Sequence, residues 1–81
     1  MHIELRRSAV KDLQKISEPF KRKLHDKILL LKNFPDVANI KKLTNFEPSY
    51  RLRVCDYRLL FDVVDERIVI GRVLHRQESY D

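Results

Sequence analysis

Apolar residues keep two different rhythms along this chain. Between Ser8 and Leu31 they recur at helical spacing: Val10, Leu13 and Ile16 in one stretch, then Phe20, Leu24, Ile28 and Leu31 in the next. Such spacing gathers them on one side of a helix and leaves Lys21, Arg22, Lys23, Asp26 and Lys27 mostly on the other. Ser8 is placed to cap the first helix, with Asp12 near its positive end. Ser17-Glu18-Pro19 breaks the chain and restarts it, because proline costs little in a first helical turn. Two helices joined so tightly are expected to form an αα-hairpin. Ahead of them, His2 to Leu5 alternates weakly and predicts a short strand.

Beyond Pro48 the period drops to two. Tyr50, Leu52 and Val54 point one way, and Arg51 and Arg53 the other. Tyr57, Leu59, Phe61 and Val63 then alternate against Arg58, Leu60, Asp62 and Val64, with Cys55-Asp56 and Asp65-Glu66 as turns. Ile68 to Leu74 is an apolar run long enough for a central strand. Asn33 to Glu47, carrying Pro35, Asn39 and Asn45, is the expected loop. The order β-α-α-β-β-β predicts an α+β fold. A twisted, largely antiparallel sheet carries an N-terminal αα-hairpin on one face. With 81 residues, 1–81 form a single domain, near the lower limit for folding without disulfides or metals.

This layout gives the charge a location. The formal net charge is +5 and the isoelectric point about 9.6, a surplus that attracts polyanions, nucleic acid being the commonest. An acidic protein partner satisfies it equally well. If the helices cover the face bearing Tyr50, Leu52, Val54, Leu59 and Phe61, the opposite face displays Arg51, Arg53 and Arg58 together. Arg72 and Arg76 share a parity on the last strand and are candidates to join them. Guanidinium forks on one side of a sheet suit phosphate, since each makes two charge-assisted hydrogen bonds. Lys41 and Lys42 are further candidates for gripping a backbone.

Other chemistries find little support. The single cysteine excludes an internal disulfide and fits a reducing compartment; without a sequence neighbour to activate it, Cys55 is expected to be a buried, inert thiol. One glycine, Gly71, leaves no room for a glycine-rich phosphate loop. His2, His25 and His75 lack metal-ligand spacing, so neither a metal nor a small-molecule cofactor is expected. No stretch approaches the ~18 apolar residues of a membrane span. The expectation is a soluble cytoplasmic protein.

The run YRLRVCDYRLLFDVVD and the ending VLHRQESY resemble the RelE/ParE family of bacterial toxins from type II toxin–antitoxin systems. The resemblance covers essentially the whole chain, and its specific part is the C-terminal half. It implies a toxin that works against a cognate antitoxin protein. In the RelE branch the implied activity is ribosome-dependent mRNA cleavage, without a metal, by attack of a ribose 2′-hydroxyl on the adjacent phosphate. In the ParE branch it is inhibition of DNA gyrase, with no ribonuclease site. The first is the expectation and the second the alternative. By the same resemblance, Arg58 contacts the scissile phosphate. Arg76 stabilises the transition state or protonates the leaving group, and Tyr80 stacks on or orients the attacked nucleotide. Arg51 and Arg53 stand where well-known RelE members carry lysines, and Cys55 where relatives commonly have glycine.

Those two arginines leave the proton acceptor open. Arginine is effectively always protonated and cannot serve as a base. His75 is the histidine nearest the arginines in sequence and has a suitable side chain, but strand alternation puts it opposite Arg76 unless the strand has ended. Glu47, in the loop entering the arginine strand, is a second candidate. Arg58 also has bland partners within reach, Asp62 and Asp56.

Overall fold

The structure, a computed structural model, describes residues 1–43 and 49–77. In chain order the elements are β1 (His2–Leu5), α1 (Arg7–Gln14), α2 (Phe20–Leu30), a 3₁₀ turn (Leu31–Asn33), β2 (Ile40–Lys42), β3 (Tyr50–Val54), β4 (Tyr57–Val64) and β5 (Arg67–His75). The strands form one sheet in the order β1-β5-β4-β3-β2, parallel between β1 and β5 and antiparallel elsewhere. The expected α+β architecture is therefore present, with one strand more than the periodicity predicted. β2 lies inside the stretch read as loop. Three residues are too few to display a period of two, and the strand is fixed by its neighbour instead. Its leading residue Asn39 takes φ 68° and accepts the Arg53 N–H at 3.2 Å, while the Leu43 N–H donates to the Ser49 carbonyl at 2.7 Å.

Both helices bury their apolar stripes on the same side of the sheet. Ala9 and Ile16 of the first helical stretch and Leu24 and Ile28 of the second join Leu31, Leu52, Val54, Leu59, Phe61, Ile68, Ile70 and Val73 in one core. Val10 is exposed, and Ala9 takes its place in the stripe. Because a methyl side chain carries little hydrophobic signal, Ala9 was invisible to a reading of large apolar residues. At the start of α2, the Glu18 carboxylate accepts the Arg22 N–H at 2.8 Å, satisfying one of the amides a helix leaves open. Among the described residues, no helix is long and apolar enough to cross a membrane.

Ser8 and Asp12 are not the cap and dipole partner that the sequence suggested. One turn apart on α1, they face the edge of β5 where β1 has ended. The Ser8 hydroxyl donates to the Gly71 carbonyl at 2.6 Å, and Asp12 accepts the Val73 N–H at 2.9 Å. Asp12 also takes both Nε and Nη2 of Arg72, at 2.8 and 3.1 Å. α1 thus supplies by side chains the ladder partners that a fifth residue of β1 would have offered. Burial alone would raise the Asp12 carboxyl, but the Arg72 and Val73 hydrogen bonds and the charges of Arg72 and Lys15 outweigh it and hold it below its ordinary range. Its contribution to stability is therefore complete above about pH 4 and is lost as the pH falls through the folded value. Asp12→Asn should cost about 1–2 kcal/mol at pH 7. In thermal melts the gap from the parent should close as the pH falls through the folded value; a gap that stayed constant would place the effect elsewhere than in the carboxylate charge.

Gly71 marks a β-bulge. Leu60 pairs with Arg72 and Phe61 with Ile70, so one residue of β5 is left over between the two rungs. The consequence reaches the functional end of the strand. Ile68 and Ile70 face the helices, and unbroken alternation from there would send Arg72, Leu74 and Arg76 the same way. The extra residue reverses the parity, so that Val73 and His75 take the helix side and the rung of Arg58 pairs with Leu74.

Candidate functional site: an arginine cluster on the open face

Placing arginine opposite arginine has no folding rationale, yet β3 and β4 do so. Arg53 pairs directly with Arg58, and Arg51 lies two rungs further along, opposite Leu60. Residues opposite one another in an antiparallel pair stand about 4.5–5.5 Å apart at Cβ, and like charges there are destabilising. Arg58 is also buried, with 8% of its surface exposed, whereas Arg53 is exposed. Removal from water lowers the guanidinium pKa of Arg58. The positive charges of Arg51, Arg53 and Arg76 push it the same way, and Asp56 opposes them. Four arginines from β3, β4 and the turn after β5 therefore share one electrostatic site. The sheet's other face is covered by the helices; this one holds a concentrated positive field, which suits a phosphate.

Arg76 reaches the site through the hairpin turn at residues 55–56. Its N–H donates to the Asp56 carbonyl at 2.6 Å, and its Nη1 lies 3.7 Å from the Asp56 carboxylate. Cys55, at the first position of that turn, has φ 55°, in the left-handed region that favours glycine. Its thiol is exposed rather than buried, as a residue at a two-residue hairpin tip must be.

The remaining candidates divide. Lys41 pairs with Arg51 and so extends the arginine face by one strand, while Lys42 pairs with Tyr50 and belongs to the other side. Arg72, expected to join the cluster, is instead drawn over the strand edge onto Asp12. His75 is also separated from the arginines, because β5 continues as far as this residue and the alternation holds. Its ring sits edge-on to Tyr57 at 5.2 Å, its Nδ1 accepts the Gln77 N–H at 3.3 Å, and it lines a small cleft with Asp12, Lys15 and Ile16. Asp62, offered as a partner for Arg58, accepts the Ser49 N–H at 2.7 Å. Tyr80 and Glu47 lie outside the described residues. The residue that sequence reading undervalued is Asp56, seen there as a turn former and as one possible ion-pair partner of Arg58, but not as a neighbour of Arg76. Its signal was adjacency, two positions before Arg58 in a strand pair whose next rung is arginine on both sides.

Known proteins carry the same architecture. The toxin of the RelB–RelE antitoxin–toxin complex from Methanococcus jannaschii superposes with a TM-score of 0.79 at 28% identity, over 96% of this chain and 95% of that one. The RelBE2 toxin–antitoxin complex from Mycobacterium tuberculosis gives 0.77 at 28% identity, over 93% and 96%. Toxin RelE3 of Methanocaldococcus jannaschii is 42% identical over 43 residues, or 53% of this chain and 49% of that protein, so the match spans about half of the curated relative's length. The family model for the ParE toxin of the type II toxin–antitoxin system parDE matches residues 3–80. With a match over nearly every residue and the fold of RelE toxins beneath it, the chain belongs to the ParE/RelE family of type II toxins.

Proposed function

We propose that this toxin is a metal-independent, ribosome-dependent mRNA endoribonuclease, which cleaves by attack of a ribose 2′-hydroxyl on the adjacent phosphate and so halts translation. The observation that carries the reading is the buried Arg58 set opposite Arg53, with Arg51 and Arg76 acting on the same guanidinium. Guanidinium groups brought to one site can each offer a phosphate two charge-assisted hydrogen bonds. In phosphoryl transfer the charge to be stabilised grows towards the transition state, and preorganised donors aimed at it usually supply the largest catalytic contribution. Arg58 holds the scissile phosphate, Arg76 stabilises the departing oxygen, and Arg51, Arg53 and Lys41 guide the flanking backbone. The cytoplasm, where ribosomes and mRNA are, is its place of action. A cognate antitoxin is the protein partner, as RelB is of the RelE relatives, and by masking the basic face it switches the toxin off.

A second reading has its own support. The matching family model is that of the ParE toxin, and arginines occupy the two lysine positions of the RelE pattern, which favours a gyrase-directed toxin that binds without cutting RNA. Primer extension on transcripts recovered after induction separates the two. Endoribonuclease action should give cuts within translated codons that vanish when initiation is blocked. Intact transcripts together with double-strand DNA breaks would transfer the assignment to gyrase.

A further inference from the structure

Among the described residues, the arginines of the phosphate site offer no group to take the proton from the attacking hydroxyl. Arg51 and Arg53 stay protonated. His75 lies on the helix side of the sheet, Asp12 is held by Arg72 and Val73, and Asp62 is four residues along β4 from Arg58, roughly 13 Å at strand rise. Asp56 has none of these handicaps. It stands at the tip of the β3–β4 hairpin, 3.7 Å from Arg76, and its charge reaches Arg58. The carboxylate is 57% exposed, so a substrate hydroxyl has access to it. A separation of 3.7 Å is an ion pair without a close hydrogen bond, which leaves the carboxylate oxygens able to accept a proton. The Arg76 N–H, held by the Asp56 carbonyl at 2.6 Å, fixes the acid and the arginine relative to one another.

We propose that Asp56 is the general base of the cleavage reaction, a role that rests on the endoribonuclease reading. The 2′-hydroxyl gives its proton to the Asp56 carboxylate, and the oxygen's electron pair forms the new bond to phosphorus. The bond from phosphorus to the 5′-oxygen breaks, and that oxygen leaves with the electron pair and takes a proton from water. The products are a 2′,3′-cyclic phosphate and a 5′-hydroxyl, and Asp56 returns its proton to solvent. The charged groups facing Asp56 are Arg76 from the turn after β5 and Arg58 from β4, with Arg53 on the same rung as Arg58. Both neighbours are guanidinium cations, which cannot themselves take the proton. Lys41 is the rival titratable group on the open face. It pairs with Arg51 two strands from Arg58, about 10 Å away at the usual strand spacing.

The test is single-turnover cleavage of mRNA on programmed ribosomes, followed against pH, for the full chain and its Asp56→Asn, Asp56→Glu and Lys41→Met variants. Asp56→Asn should cleave about 10²–10⁴-fold more slowly and lose the acid limb, while ribosome binding is retained. Asp56→Glu should recover part of the rate with the limb restored, and Lys41→Met should keep the limb. Cleavage by Asp56→Asn within about threefold of the parent, or a slower rate with the acid limb intact, would reduce Asp56 to a positioner of Arg76 and overturn the assignment. Loss of the limb in Lys41→Met would overturn it too. If the unaltered toxin cuts no mRNA at all, the endoribonuclease reading itself fails and Asp56 falls with it.

Discussion

Replacing Arg58 by methionine should abolish growth arrest and raise the melting temperature together. In the folded chain the Arg58 guanidinium is largely removed from water, and burial and the charges of Arg51, Arg53 and Arg76 disfavour its charge more than Asp56 favours it. A side chain of similar length without the charge fills the same space and removes that opposition. Exchanging buried charge for apolar volume is commonly neutral or stabilising. A gain of about 1 kcal/mol is expected, or roughly 4–8 °C in Tm for a domain of this size. The transition state meanwhile loses its central donor, at a cost of about 10²–10³ in cleavage rate. Arg58→Lys separates charge from geometry: it keeps the cation but not the fork, and should restore little activity. A stabilised and fully toxic methionine variant would remove Arg58 from the chemistry. A destabilised and inactive one would mean that the guanidinium is a structural strut.

The same trade-off explains which parts of the site were legible in the sequence. Arg51, Arg53 and Arg58 were readable because period two is local: alternation with Tyr50, Leu52, Val54 and Leu59 fixes their face without knowledge of the partner strand. Arg72 and Asp12 were not, because they are 60 residues apart and meet only where β1 stops short of the end of β5. β2 escaped for a similar reason, its pairing with β3 being set by tertiary contact rather than by its three residues. The turns were readable from composition, but not their strain. Asp65 and Glu66 adopt φ 47° and 62°, the backbone of a primed hairpin turn that asparagine and glycine fill more easily. Asp56 was visible as a residue and invisible as a function, since only the closing of the residue 76 turn onto the hairpin tip brings it to Arg76.

The gravest structural loss is expected from Phe61→Ala. Phe61 has no exposed surface and lies 5.4 Å from the Tyr50 ring in a stacked arrangement, with Phe34 edge-on to both at 6.0 and 5.3 Å. Removing a buried phenyl ring costs about 3–5 kcal/mol, through lost transfer energy and the cavity left behind. A chain of 81 residues has about 4–12 kcal/mol in all, so urea melts should show the variant close to its midpoint in water, while truncating exposed Leu30 should stay within about 0.5 kcal/mol. The functional consequence follows from register. Phe61 is the residue of β4 at the bulge, paired with Ile70 immediately before the extra Gly71. Its packing on the helix side holds the β5 parity reversal that sends His75 towards Tyr57 and Arg76 towards Asp56. Phe61→Leu, which keeps an apolar anchor there, should retain the register and most of the toxicity at reduced stability. Phe61→Ala should lose toxicity even at temperatures where part of it is folded. Full toxicity in the folded fraction would show that the bulge is held by the Ser8 and Asp12 contacts on β5 alone.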